Sequence, residues 1–254
     1  MKRLSLILVA GLLVLSACGC QRTAVEHNER GIALAEEGHH QKAISEFNQA
    51  IELDPGYALA YSNRGNAYYQ KGEPQKAMAD FDRAIELDPG LAEAYNNRGA
   101  AYGGRGEFDK AISEFNRAIE LDPNYADAYH NRGVAYAGRG EFDPAIADYS
   151  RAIELKPDYA QAYKNRGAAY AAQAYQNRGA SYGQKLDQAI TDFDQAIELD
   201  PRLAQAYSGR GTCYFLKREL DKAASDLEKF IELSDDLEQV AKMRQILDEI
   251  RLLQ

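Results

Sequence analysis

An all-α fold of repeated helical hairpins, closed by a C-terminal helix, is what this sequence predicts, and three observations carry that reading. Pro55, Pro89, Pro123 and Pro157 recur every 34 residues. Tyr61, Tyr95, Tyr129 and Tyr163 keep the same step, as do Ala43, Ala77, Ala111 and Ala145. The tripeptide Asn-Arg-Gly marks each period at 63–65, 97–99, 131–133 and 165–167, with a further copy at 177–179. In such an array each unit packs only on its neighbours, so a 254-residue chain needs no single large core.

The period divides into two helices. In residues 58–91, Ala60, Tyr61, Arg64, Ala67 and Tyr68 recur at helical intervals and form one packing stripe. Gly72-Glu73 ends that helix. Ala77, Met78, Phe81, Ala84, Ile85 and Leu87 make the stripe of the second, which Asp88-Pro89-Gly90 stops, because proline cannot continue a helix. Gly65 and Ala77 are small where the helices should cross, and Tyr61, Tyr68 and Phe81 fill the space around that crossing.

Six units follow, at 24–57, 58–91, 92–125, 126–159, 160–203 and 204 to about 237. The fifth has 44 residues, because QAYKNRGAAYAA at 161–172 is followed by the near-copy QAYQNRGASYGQ at 173–184. Twelve residues turn a helix by about 1200°, so the copies are offset by about 120° on a straight helix. The expectation is one lengthened first helix over ~160–183, unbroken at Gly167 and Gly179 since one glycine costs only about 1 kcal/mol. The early copy then packs as a regular repeat while Tyr175 and Asn177 face elsewhere. The alternative is that 161–172 loops out and the late copy docks. In the sixth unit Arg218 replaces the turn glycine, Leu227 an aromatic residue and Phe230 an alanine. Ser234-Asp235-Asp236 reads as a helix start with a capping hydroxyl. It opens a capping helix over 234–254 with Leu237, Val240, Met243, Leu247 and Ile250 on its apolar face.

The 34-residue pattern resembles the tetratricopeptide repeat over residues 24 to about 233. The resemblance implies a right-handed superhelical solenoid whose first helices line an inner groove, and a non-enzymatic role in binding proteins. The expected domain order is a signal at 1–17, a tether at 18–23, the six-repeat solenoid at 24–233 and the cap.

At the N-terminus, Lys2 and Arg3 precede an apolar run of 12 residues, Leu4 to Leu15. That is too short for the ~20 a membrane-spanning helix needs and reads as a secretory signal. Leu15-Ser16-Ala17-Cys18 resembles the lipobox of bacterial lipoproteins. The resemblance implies lipid attachment, palmitate included, at Cys18 and cleavage just before it. The alternative is an ordinary signal ending near Ala17. Loss of residues 1–17 leaves 28 basic and 39 acidic residues, a formal −11. No Asp follows Cys18, which in lipoproteins of Gram-negative bacteria points to the outer membrane, facing the periplasm.

An acidic chain, −9 overall, is a poor ligand for nucleic acid. The sequence contains no phosphate loop, paired-cysteine metal motif or HExxH, and no metal or cofactor is expected. Glu52, Glu86, Glu120, Glu154 and Glu198 repeat with the period and mark a solvated face. Cys213, among apolar neighbours, reads as a buried structural thiol. The periodic arginines, Arg64 among them, read as packed stems whose heads reach water or a neighbouring acid.

The candidate binding residues are Asn63, Asn97, Asn131 and Asn165, the sixth residue of successive repeats, interrupted by Glu29 and Gly209 at the ends. An amide both donates and accepts, so such a row can hold an extended peptide without reading its sequence. The row resembles the asparagine ladder in the repeat domain of O-linked N-acetylglucosamine transferase. The alternative is that these asparagines serve solubility or bonding between helices. Tyr-Ser-Asn-Arg-Gly at 61–65 also resembles cochaperones that clamp a C-terminal carboxylate, but Asn28, Ile32 and Glu93 stand where that clamp needs lysine, asparagine and lysine. Together these readings give an adaptor or assembly scaffold of a bacterial cell envelope that binds a protein segment in its groove. A structural subunit binding through edges or outer surface is the alternative.

Overall fold

A computed structural model describes residues 23–176 and 179–253, so Cys18 and the signal lie outside the described residues, as do Asn177 and Arg178. The chain forms two compact units, one up to Pro123 and one from Asn124. The first holds α1 (23–36), α2 (His40–Leu53), α3 (Ala58–Gln70), α4 (Pro74–Leu87), α5 (Ala92–Gly104) and α6 (Phe108–Leu121). The second holds α7 (Ala126–Gly138), α8 (Phe142–Leu155), α9 (Ala160–Gln176), α10 (Tyr182–Leu199), α11 (Ala204–Leu216), α12 (Leu220–Leu233) and α13 (Leu237–Leu253). Consecutive helices pair as antiparallel hairpins, and within each unit the second helix of one hairpin packs on the first helix of the next.

The hairpin crossing explains the conserved spacing within the chain. Ala77, Ala111, Ala145 and Ala189 are fully buried, and so are Phe81, Phe115, Tyr149 and Phe193 four residues on. The aromatic ring lies over a glycine of the facing helix. A Cβ on Gly65 would sit 2.7 Å from the Phe81 ring, and one on Gly99 2.7 Å from Phe115. Only a residue without a side chain lets these helices approach so closely.

The turns follow from local backbone chemistry. After α3, Gly72 N donates to Tyr69 O and Glu73 N to Tyr68 O, each at 2.9 Å, a Schellman closure with Gly72 at φ 77°. In the sixth repeat Arg218 occupies the same left-handed region at φ 64°, the one described non-glycine residue to do so. After α4, the Asp88 carboxylate accepts from Gly90 N at 2.8 Å, closing the turn before the next hairpin.

Three expectations need correction. The fifth repeat does not form one helix over ~160–183. α9 stops at Gln176, and a turn in which Tyr182 N donates to Gly179 O leads into α10. α9 is four residues longer than α3, α10 four longer than α4 and the link two longer, which accounts for the ten extra residues. The reason is the docking of the second helix: Leu186, Ala189 and Phe193 are buried against Ala174 and Tyr170, and a straight continuation would carry them off α9. The early copy does pack as a regular first helix, and Tyr175 is exposed. At the C-terminus, the cap of α13 is the Asp236 carboxylate, which accepts from Glu238 N and Gln239 N, rather than the Ser234 hydroxyl. Finally, Leu237 is 82% exposed and lies off the apolar face, whereas Val240, Leu247 and Ile250 are buried.

Candidate peptide-binding groove

The first helices α1, α3 and α5 stand side by side in one unit, and α7, α9 and α11 in the other, with contacts from α3 to α5 and from α9 to both α7 and α11. Two positions knit them together. Within the units, Asn63, Asn97 and Asn165 each reach back 35 residues to the fifth position of the preceding repeat. Asn63 Nδ2 donates to Asn28 Oδ1 at 3.0 Å, and Asn97 Nδ2 to Ser62 Oγ at 3.2 Å. In the second unit Asn165 Nδ2 lies 2.9 Å from His130 Nε2. Burial lowers the His130 pKa and so favours the neutral imidazole, in which a proton on Nδ1 leaves Nε2 as the acceptor. Asn131 Oδ1 lies 3.3 Å from His130 Nδ1. Bonding between helices, the alternative to peptide binding raised for the row, is therefore present at Asn63, Asn97 and Asn165.

The arginine after each asparagine holds the hairpin itself. Arg64 Nε and Nη2 donate to the two Asp80 oxygens at 2.8 and 2.7 Å, and Nη1 donates to Asn48 Oδ1 of the preceding hairpin at 2.7 Å. Arg98 with Glu114 and Asp82, Arg166 with Asp192 and Ser150, and Arg210 with Asp226 and Asp194 repeat the arrangement. Arg132 pairs the same way with Asp148. Such fork-on-fork pairs are short and geometrically specific. The first repeat departs from it: Arg30 is exposed, and Glu46 at the acid position bonds His27 Nδ1 at 2.7 Å instead. Sequence reasoning found the arginines but not their fixed acids. The signal was present, since an acid follows each of Arg64, Arg98, Arg132 and Arg210 by 16 residues.

Two pockets open along these helices. One, of about 300 Å³, lies in the first unit with an apolar floor of Ile32, Ala35, Phe47 and Ala67 and a rim that includes Asn63, Asn66 and Gln70. The other, of about 260 Å³, lies between α9 and α11 and includes Lys164 and Asn165. Asn63 and Asn165 thus meet open space as well as the neighbouring helix. The periodic glutamates lie on the exposed face, with Glu86, Glu120 and Glu154 held by arginines three residues before them. Cys213 is buried, and burial pushes its thiol up to about 12, so it is a packing residue. No group of metal-ligating side chains is present among the described residues, and no described helix is long and apolar enough to cross a membrane.

Models of the tetratricopeptide repeat match residues 58–91, 126–159 and 81–113, and a further TPR repeat model matches 31–72, 105–140 and 182–217. No curated protein is similar enough to this sequence to count as a relative. Among solved structures, MamA is 30% identical, covering 72% of this chain and 94% of that chain with a TM-score of 0.52. YrrB, described as a TPR protein with an unusual peptide-binding site, is 26% identical, with 78% and 97% covered and a TM-score of 0.56. PilF of Pseudomonas aeruginosa has a TM-score of 0.74 over 89% of this chain and 99% of that chain, but at 16% identity the likeness speaks for the fold alone. The matched repeats span well over half of the sequence, and the chain belongs to the tetratricopeptide-repeat family, whose members act as scaffolds for protein–protein interaction.

Proposed function

We propose that this chain is a non-enzymatic adaptor or assembly scaffold of a bacterial cell envelope, lipid-anchored at Cys18 and holding an extended segment of a partner protein along its first helices. The observation that carries the groove reading is the position of Asn63 and Asn165 on the walls of pockets between helices. Their Nδ2 groups are engaged by the preceding repeat, which fixes the side chains in place. The opposite edge of each amide, Oδ1, then stands as a preoriented acceptor for main-chain N–H groups. Such contacts hold a backbone without selecting side chains, while Ile32, Ala35 and Phe47 offer an apolar floor for one residue of the segment. The envelope reading rests on Lys2-Arg3, the apolar run and Leu15-Ser16-Ala17-Cys18.

A photo-crosslinking amino acid placed in native cells at Asn66, on the pocket rim, and separately at Glu86, on the exposed face, tests the groove. Adducts with a partner from position 66 and none from position 86 are expected. Adducts from 86 alone would transfer the interaction to the outer surface and favour the structural-subunit alternative.

A further inference from the structure

The pocket beside Asn63 differs from the same place one repeat along. There Tyr69 stands where Ala35 does, and its hydroxyl fills the space beside Gly104, which stands where Gln70 does. In the first repeat the small Ala35 leaves that space open as the cavity of about 300 Å³. Ile32 and the buried Phe47 lie at its floor.

The rim of this pocket is polar and uncommitted. Glu36 supplies its one carboxylate, and Asn66 and Gln70 supply two amides. The side chains of all three are exposed and bond no other described residue. The position of Glu36 and Gln70 is glycine in the third and fourth repeats, at Gly104 and Gly138, so this chemistry belongs to the first two hairpins. No lysine or arginine lines the pocket. Lys71, at the neighbouring turn, is held by Glu73 at 2.7 Å and Gln41 at 2.6 Å. His40, on the same wall, has a buried Nδ1 with no partner in the described chain, where buried polar atoms ordinarily have one. An apolar floor with a carboxylate and amide oxygens at its wet edge suits a side chain with a long apolar stem and a cationic head.

We propose that this pocket receives a lysine or arginine side chain of the bound segment, with its stem on Ile32 and Phe47 and its cation at Glu36 beside the amide oxygens of Asn66 and Gln70. The inference rests on the groove reading above and gives it a preference, since the asparagine row holds main chain and is indifferent to side chains.

The test is titration of the full chain, followed by NMR, with end-blocked Gly/Ser/Ala peptides that differ at one central residue: Lys, Arg, Met or Glu. Met keeps an apolar stem and removes the charge. A cationic peptide should bind about ten-fold more tightly than the Met peptide, and the Glu peptide should bind least. Glu36→Gln should erase that difference. Glu37→Gln removes the same charge from outside the pocket and should preserve it. Ala35→Tyr, which copies Tyr69, should close the pocket and remove the preference as well, and unchanged melting of each variant shows that the fold is intact. A gain shown by only one of the two cationic peptides supports the pocket and assigns lysine or arginine to it. Equal binding of the Lys, Arg and Met peptides, no binding of either cationic peptide, or a preference that survives Glu36→Gln overturns the proposal. So does a preference lost equally in Glu37→Gln, which would trace it to net charge. Equal binding leaves the groove standing without the cation pocket, and the crosslinks at positions 66 and 86 decide the groove independently.

Discussion

The second repeat, α3 with α4, and the fifth, α9 with α10, solve the same packing problem with different lengths of chain. Arg64 grips Asp80 across 16 residues, and Arg166 grips Asp192 across 26, with matching bond lengths of 2.7 to 2.8 Å. Gly65 lies under Phe81, and Gly167 under Phe193. At the helix end, Lys71 bonds Gln41 of the preceding hairpin and Gln173 bonds Asp143 in the equivalent place. All ten extra residues fall between Gln173 and Leu186, past the last of these contacts. The register of a hairpin is therefore set by its glycine–aromatic and arginine–acid contacts, and the length of the connection is secondary. Loop-closure entropy agrees, because it grows slowly with added residues.

That comparison can be broken at its tightest point. Gly65→Leu should cost about 3 kcal/mol or more, because it forces a side chain against the Phe81 ring and the Ala77 carbonyl. Gly167→Leu should cost less, about 2 kcal/mol, since the nearest Phe193 atom lies at 3.2 Å from the Cβ position rather than 2.7 Å. Thermal or urea unfolding of the two variants checks the order. Damage should stay close to the mutated hairpin, as expected for nearest-neighbour arrays.

Next in size are the acid partners. Asp80→Asn and Asp192→Asn should each lower stability by about 2 kcal/mol, with the two losses alike, because the pairs are alike in geometry and burial. A much smaller loss for Asp192→Asn would mean that the enlarged repeat is held by something other than the shared register. Arg218→Gly should raise stability by about 1 kcal/mol, by relieving a left-handed backbone that the first four repeats give to glycine. Deleting residues 174–183 restores the 34-residue spacing and should leave the hairpin folded, the cost of about 1–2 kcal/mol coming from the lost burial of Ala174 rather than from the shorter connection. Loss of helical signal equivalent to a whole hairpin in that variant would contradict the comparison.

Repeat period, helix positions and the small residues at each crossing were legible in the sequence because each is a local pattern repeated many times. The fate of the duplicated segment was not. The cost of a single glycine at Gly179, about 1 kcal/mol, is too small to forbid continuation, but burial of Leu186, Ala189 and Phe193 imposed a turn, and that competition is decided in three dimensions. The candidate site was half legible. The asparagine row stood out at its fixed interval, whereas its acceptors, Asn28, Ser62 and His130, share no side-chain type and become visible only as neighbours.

The groove reading separates most cleanly on one pair of variants. Asn63→Ala and Asn28→Ala both abolish the same bond between α1 and α3, so they should lower stability by similar amounts, about 1 kcal/mol. Only Asn63→Ala removes an amide from the pocket wall. Binding of the crosslinked partner's segment to both variants, measured by calorimetry, should show the larger loss of affinity for Asn63→Ala and a smaller one for Asn28→Ala, which frees the amide without removing it. Equal affinity in the two variants would contradict the account and leave the asparagine row as a bond between helices alone.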